Sequence, residues 1–425
     1  MLTEDASGFE AAREAHARER LEELQALART YRNWSMKELA MALGRQPGRL
    51  VPESGMPKID LVVGLARALD WPVEAVVDHL MKPANPRRAA DLPEEMGFAE
   101  LYNASLERRA ERDYSEAVRL AVRAGVAADN PTRRAAALYI ESLAQEAMGS
   151  YVEAVRCLRE ALRIDGVGVD WRLLCDAQLA NMTFMQGHAT HAIGMASSVL
   201  DYSTHYSETP TVLLARALAH WARGHALRST VPMTGFEAWR PLAASARDDF
   251  RASAAIAERL AECPSISPSR NLTFAACIDV VALELDAVCD AGAAADAANR
   301  LIEAVRAGGG VEPSVGERKA WAAVALSCVA RRHCEDEAQR RGMLEIASAA
   351  LRAHAVATSN WYFAHMHLEL DSERRKGLAG NGFAMRALDA VEAKMVAGVI
   401  GQLPSARARA DEYLALYAAK NGGAA

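Results

Sequence analysis

Strand-forming runs are nearly absent from the 425-residue sequence. Few β-branched or aromatic stretches are bounded by turn residues, and Phe, Trp and Tyr together supply only 6% of the chain. That scarcity argues against a sandwich, a barrel or a parallel sheet. Also missing is any charge-free apolar run near the ~20 residues needed to cross a bilayer, so no membrane partner is expected. The first ten residues hold Glu4, Asp5 and Glu10 and no apolar stretch, so a secretory leader is not expected and the chain reads as cytoplasmic. Basic excess is lacking as well. At a net charge of −6 there is no whole-chain field to attract nucleic acid, and any such role must be local.

Cysteine is sparse and unpaired in pattern. The seven residues Cys157, Cys175, Cys263, Cys277, Cys289, Cys328 and Cys334 show no C-x-x-C spacing, and most fall on apolar helix faces. They read as reduced core thiols. Motifs for covalent chemistry are missing too. There is no G-x-G-x-x-G, no P-loop and no G-x-S-x-G elbow. His188 and His191 share a helix start without a third ligand. His365 and Glu369 share a face that His367 does not, and Cys328, His333 and Cys334 fit no zinc spacing. No enzyme activity, cofactor or metal is expected.

What is present is helix. Ala, Arg, Leu and Glu dominate, which favours an all-α fold. Near the N-terminus, Leu21, Leu24, Leu27 and Ala28 recur at helical spacing within a segment from about 10 to 31. Ser35 followed three residues later by Glu38 forms a capping box. The helix it starts ends at Gly44, a left-handed terminator. A further helix spans about 59–69, striped with Leu61, Val62, Leu65 and Leu69, and another follows Pro72 with Val73, Val76, Val77 and Leu80.

Residues 37–44 (Lys37-Glu38-Leu39-Ala40-Met41-Ala42-Leu43-Gly44) and 57–69 (from Pro57 through Leu61, Leu65 and Ala66 to Leu69) carry a resemblance to the lambda-repressor-like, Cro-type helix-turn-helix family. It covers about residues 18–81. The resemblance implies duplex-DNA binding through a helix between Gly44 and Pro57. That stretch is about three residues shorter than the family pattern, and Pro52 limits it to roughly one turn. Arg29, Arg32, Lys37, Arg45, Arg49 and Lys58 make a basic island around it. Arg45, Gln46 and Arg49 are the residues expected at bases, and Ser35 and Lys37 those near phosphate. The alternative is a helix-turn-helix fold kept for protein contacts.

Residues 82–96 begin with two prolines and three positive charges and read as a linker. From 97 onward the chain repeats. Asp113-Tyr114-Ser115-Glu116-Ala117, Gly149-Ser150-Tyr151-Val152-Glu153-Ala154 and Gly187-His188-Ala189-Thr190-His191-Ala192 each open a helix with small residues at fixed offsets. They resemble the turn and second helix of tetratricopeptide units, at a period slightly above the ~34 residues of that repeat. The turn is expected again at Gly224 and Gly292, with an insertion near 228–240, looser pairs to about 396, a capping helix near 405–419 and a flexible tail over 420–425.

The resemblance implies a right-handed superhelix of helix pairs over 97–419 whose first helices line a concave face. It puts Tyr102, Arg109, Tyr139, Glu146, Asn181 and Phe184, with Trp221, on that face, where they would take a peptide or a protein helix. Packing between helices is the other reading of Tyr139, Phe184 and Trp221. Together the two resemblances imply a dimeric, ligand-responsive DNA-binding regulator. The alternative is a repeat adaptor that does not bind DNA.

Overall fold

In the computed structural model, residues 34–52, 57–69, 96–111, 113–262, 268–307, 313–380 and 389–403 are described, with isolated positions in 17–32 and 73–80. Among them there is no strand. The chain is all-α and divides into two compact units, Met1–Glu94 with Arg375–Ala425, and Glu95–Arg374.

In the first unit, α1 (Met36–Ala42) starts at the expected capping box. The Ser35 side chain accepts from the Glu38 amide, and the Glu38 carboxylate accepts from the Ser35 amide at 2.7 Å. Gly44, at φ +63°, turns the chain out of the helix. A single 3-10 turn, Pro47–Arg49, follows, and then α2 (Ile59–Leu69). Leu21, Leu24, Leu39, Leu50, Leu61, Leu65 and Leu69 pack into one core. Arg32 closes the end of α2 by donating to the carbonyls of Ala68 (2.7 Å) and Arg67 (3.2 Å), where helix carbonyls lack partners.

The segment that follows 375 belongs to this unit. Ala393 and Ala397 of its helix, Ala390–Gln402, pack into the same leucine core. The capping helix expected at 405–419 and the linker expected at 82–96, apart from Met96, lie outside the described residues.

The second unit is a succession of helix hairpins resembling tetratricopeptide pairs. The first three are α3 (Phe98–Ala110) with α4 (Tyr114–Ala127), α5 (Pro131–Ala147) with α6 (Tyr151–Arg163), and α7 (Val169–Met185) with α8 (Ala189–Ser203). Next come α9 (Pro210–Thr230) with α10 (Arg240–Ala261), α11 (Pro268–Cys289) with α12 (Ala294–Arg306), α13 (Pro313–His333) with α14 (Glu337–Thr358), and finally α15 (Trp361–Gly380), which belongs to this unit as far as Arg374. Each second helix also packs on the first helix of the next pair, which buries both faces of the first helices. Their cores are Ala-rich. In α5 the run Ala135–Ala137 is buried together with Leu138, Tyr139 and Ile140. Small side chains let the helix axes approach closely.

Two of the expected turn glycines act as turns: Gly149 and Gly187 have φ of +78° and +87°. Gly224 does not. It lies inside α9, and a Cβ there would stand 3.1 Å from Phe250 of α10. Its spacing imitates the turn signal, but close helix contact is what requires it. Helix α9 therefore runs on to Thr230. The expected insertion reduces to residues 231–239, with Gly235 left-handed and a 3-10 turn, Phe236–Trp239.

The array also meets itself across a long sequence separation. Tyr151 donates to Asn360 Oδ1 at 2.9 Å, and a Cβ on Gly149 would collide with the Trp361 indole and the Ser359 carbonyl. Replacing Gly149 by Ala adds a left-handed strain of ~1–2 kcal/mol to that collision. A urea titration of G149A should show a loss of about 3 kcal/mol, and a loss under ~1 kcal/mol would contradict the contact.

Candidate functional site

On the first helices of successive pairs, the residues expected on a concave face form a chain of contacts. Arg109 of α3 reaches the Leu143 carbonyl of α5 at 3.4 Å. Glu146 of α5 accepts from Gln178 (2.6 Å) and Asn181 (3.4 Å) of α7. Tyr139 stands edge-on to Trp171, their ring centres 5.9 Å apart. Tyr102 stacks obliquely on Phe98 within α3.

Burial divides the six. Tyr102, Arg109 and Glu146 are partly accessible, whereas Tyr139, Asn181 and Phe184 are buried. Trp221 is buried too.

Phe184 marks where the row enters an aromatic core. It stacks on His225 of α9 and meets Tyr362 of α15. His225 is fully enclosed, with Trp221 at 4.2 Å, Trp321 at 4.1 Å and Phe250 at 4.9 Å between ring centres. Among the described residues, neither of its ring nitrogens has a hydrogen-bond partner. Burial and the neighbouring Arg228 hold its pKa well below the usual histidine value, so the ring is neutral.

One turn further along α9, Arg228 donates to Glu284 of α11 at 2.6 Å, and Arg332 of α13 donates to the other carboxylate oxygen at 2.6 Å. Glu284 is wholly buried. Arg332 also binds the carbonyls of Val231 (2.9 Å) and Pro232 (3.2 Å), which fastens the chain leaving α9. A smaller centre joins α9 to α10. There Asp249 accepts both guanidinium arms of Arg223, at 2.7 and 2.8 Å, and contacts His220 at 2.8 Å. Burial would raise the Asp249 pKa, but these hydrogen bonds outweigh it and hold it down.

No sequence spacing singled out Gln178, His225, Glu284 or Trp321. Gln178, Glu284 and Trp321 meet partners on other pairs, and His225 is closed in by Trp321 from another pair as well as by its own, and a repeat signal reports the helices but not what crosses between them.

In the other unit, Ser35, Lys37, Gln46 and Arg49 are exposed. Arg45 is not free: its guanidinium holds Asp60 of α2 at 2.6 Å and draws the Asp60 pKa down. Leu50 turns into the core, and Gln25 donates to its carbonyl at 2.8 Å. Exposed apolar side chains flank this region: Met36 and Met41 on α1, and Ile59 at the start of α2.

Among the described residues no group of three His, Cys, Asp or Glu side chains could hold a metal ion, and no helix is long and apolar enough to cross a membrane. Cys157, Cys175, Cys277 and Cys328 are free and buried, and burial pushes each thiol upward, Cys175 to about 12. Cys289 and Cys334 are free and partly buried. Cys263 lies outside the described residues.

No protein-family model matches the chain, and no curated protein matches it. Among solved structures, it is similar to a crystal structure of a Rap protein complexed with competence and sporulation factor. The identity is 14% and the TM-score 0.43, over 94% of this chain and 99% of that one.

Truncating Glu284 strands two buried guanidinium groups, and E284A should lose about 3–5 kcal/mol in denaturant titration. An unchanged midpoint would contradict the centre. The buried histidines set an acid limit. An unfolded histidine binds a proton near its ordinary pKa of 6.5, whereas folded His225 stays neutral well below that and His367 down to about 4. Their contribution is complete above pH 6.5 and is lost as the pH falls from there toward 4, by up to ~1.4 kcal/mol per pH unit for each. H225F keeps an aromatic ring and removes two unpartnered nitrogens. It should match wild type within ~1 kcal/mol at pH 7.5 and flatten the acid slope. An unchanged slope would contradict the neutral buried imidazole.

Proposed function

We propose that this chain is a helical-repeat adaptor whose array binds a peptide or protein segment and whose N-terminal unit makes protein contacts rather than reading DNA. The reading rests chiefly on the row Tyr102, Arg109 and Glu146. These are partly accessible polar and aromatic side chains on the first helices of consecutive pairs, and Arg109 and Glu146 are held by the next helix along. Side chains fixed in this way lose little freedom when a partner docks, which is what a recognition surface needs. No step of covalent chemistry belongs to the proposal.

Three observations weigh against the DNA-binding regulator. Among the described residues, the segment expected to enter the major groove folds only the three-residue turn Pro47–Arg49. Arg45, expected at a base edge, is paired with Asp60. Arg32, part of the basic island, caps α2. The exposed Lys37, Arg49 and Lys58 favour the DNA reading, but three cations make a weak phosphate contact. Exposed Met36, Met41 and Ile59 suit a protein surface better.

Peptides selected from a random displayed library on the full chain should bind with a Kd at or below ~10 μM and lose about tenfold in Y102A and in R109A. The same protein should bind duplex DNA weakly and without sequence preference at 150 mM salt. Selection of no peptide, together with tight, sequence-preferring DNA binding that R49A abolishes, would overturn the adaptor in favour of the regulator.

A further inference from the structure

A cleft of about 640 Å³, lined by none of the residues of the row described above, lies between the second helices α10 and α12. Its floor is α11, and α13 closes one end. Ala282 and Leu283, half-buried, supply apolar floor over the buried Ile278, while the cleft carries charge of both signs. Arg251 comes from α10, Arg300 from α12 and Arg318 from α13, facing Asp279 and Asp286 of α11 and Glu303 of α12.

The charges are not all used internally. Arg251 shares Asp286 with Arg247, at 3.5 and 3.3 Å, and Arg300 lies 3.7 Å from Asp296. Among the described residues, Arg318, Asp279 and Glu303 have no ion-pair partner. They line one cavity without neutralising one another.

This charge pattern selects a ligand class. A polyanion would face three carboxylates, and a polycation three guanidinium groups. A molecule with one group of each sign separated by an apolar body matches the walls and the floor together. The volume lies within the ~300–1,000 Å³ of ordinary ligand sites.

We propose that the α10–α12 cleft is a second binding site, for a short zwitterionic peptide segment. Its carboxylate pairs with Arg318, its ammonium with Asp279 and Glu303, and an apolar side chain lies on Ala282 and Leu283, above Ile278. Arg318 is the planar, bidentate donor suited to a carboxylate. The site is separate from the Tyr102–Glu146 row and does not depend on the adaptor reading.

The test uses the full chain with labelled Ile and Leu methyl groups, titrated with a pool of free-ended pentapeptides that have leucine at the centre. The Ile278 and Leu283 methyl signals should shift and saturate in the millimolar range or below. The same pool with amidated C-termini should bind about tenfold more weakly, and R318Q, which leaves the partly exposed position polar, should abolish the difference between the pools. D279N should weaken the free-ended pool while the circular dichroism stays that of wild type. R109A, which impairs the proposed array site, should leave this titration unchanged. The proposal is overturned if neither methyl signal responds, or if R318Q discriminates between the pools as wild type does.

Discussion

A single carboxylate with no access to water joins three repeats. Glu284 sits on α11 and is held from one side by Arg228 of α9 and from the other by Arg332 of α13. Burying these charges separately would cost several kcal/mol apiece. Their mutual attraction offsets that cost only while all three helices keep their register. Arg332 extends the same centre to the carbonyls of Val231 and Pro232, so the segment entering α10 is fixed by it too.

The aromatic core grows out of the same helices. His225 precedes Arg228 by one turn of α9, and Trp321 lies on α13 with Arg332. Around them close Phe184 from α7, Phe250 from α10 and Tyr362 from α15. An imidazole with both nitrogens unpartnered adds nothing polar to this packing. It survives because burial keeps it uncharged. Gly224 and Gly149 belong to the same arrangement, since each is small where an aromatic side chain comes close. With the middle of the array filled in this way, Tyr102, Arg109 and Glu146 are the accessible members of the row.

Local signals were legible and long-range ones were not. The Ser35–Glu38 capping box, the stripe over 59–69 and the left-handed glycines at 44, 149 and 187 follow from neighbours a few residues away, and the fold class follows from them. Gly224 misled because a turn glycine and a packing glycine look alike in sequence. Arg45 counted toward a basic island, since nothing local reveals that Asp60, fifteen residues on, takes its charge. The row from Tyr102 to Phe184 could be placed by repeat register. Which of its members stay accessible depended on Tyr362 and Trp171, and on an aromatic core no periodicity describes. Likewise, the packing of Ala393 and Ala397 with leucines of the N-terminal unit has no signature along the chain.

The central claim, that one buried charge centre makes α9, α11 and α13 a single cooperative unit, is tested most directly by native-state hydrogen exchange on the full chain. The amides of these three helices should be the slowest in the array and should open together with one free energy and one denaturant dependence. Opening of α13 or α9 well below the other two, with its own shallow denaturant dependence, would contradict it.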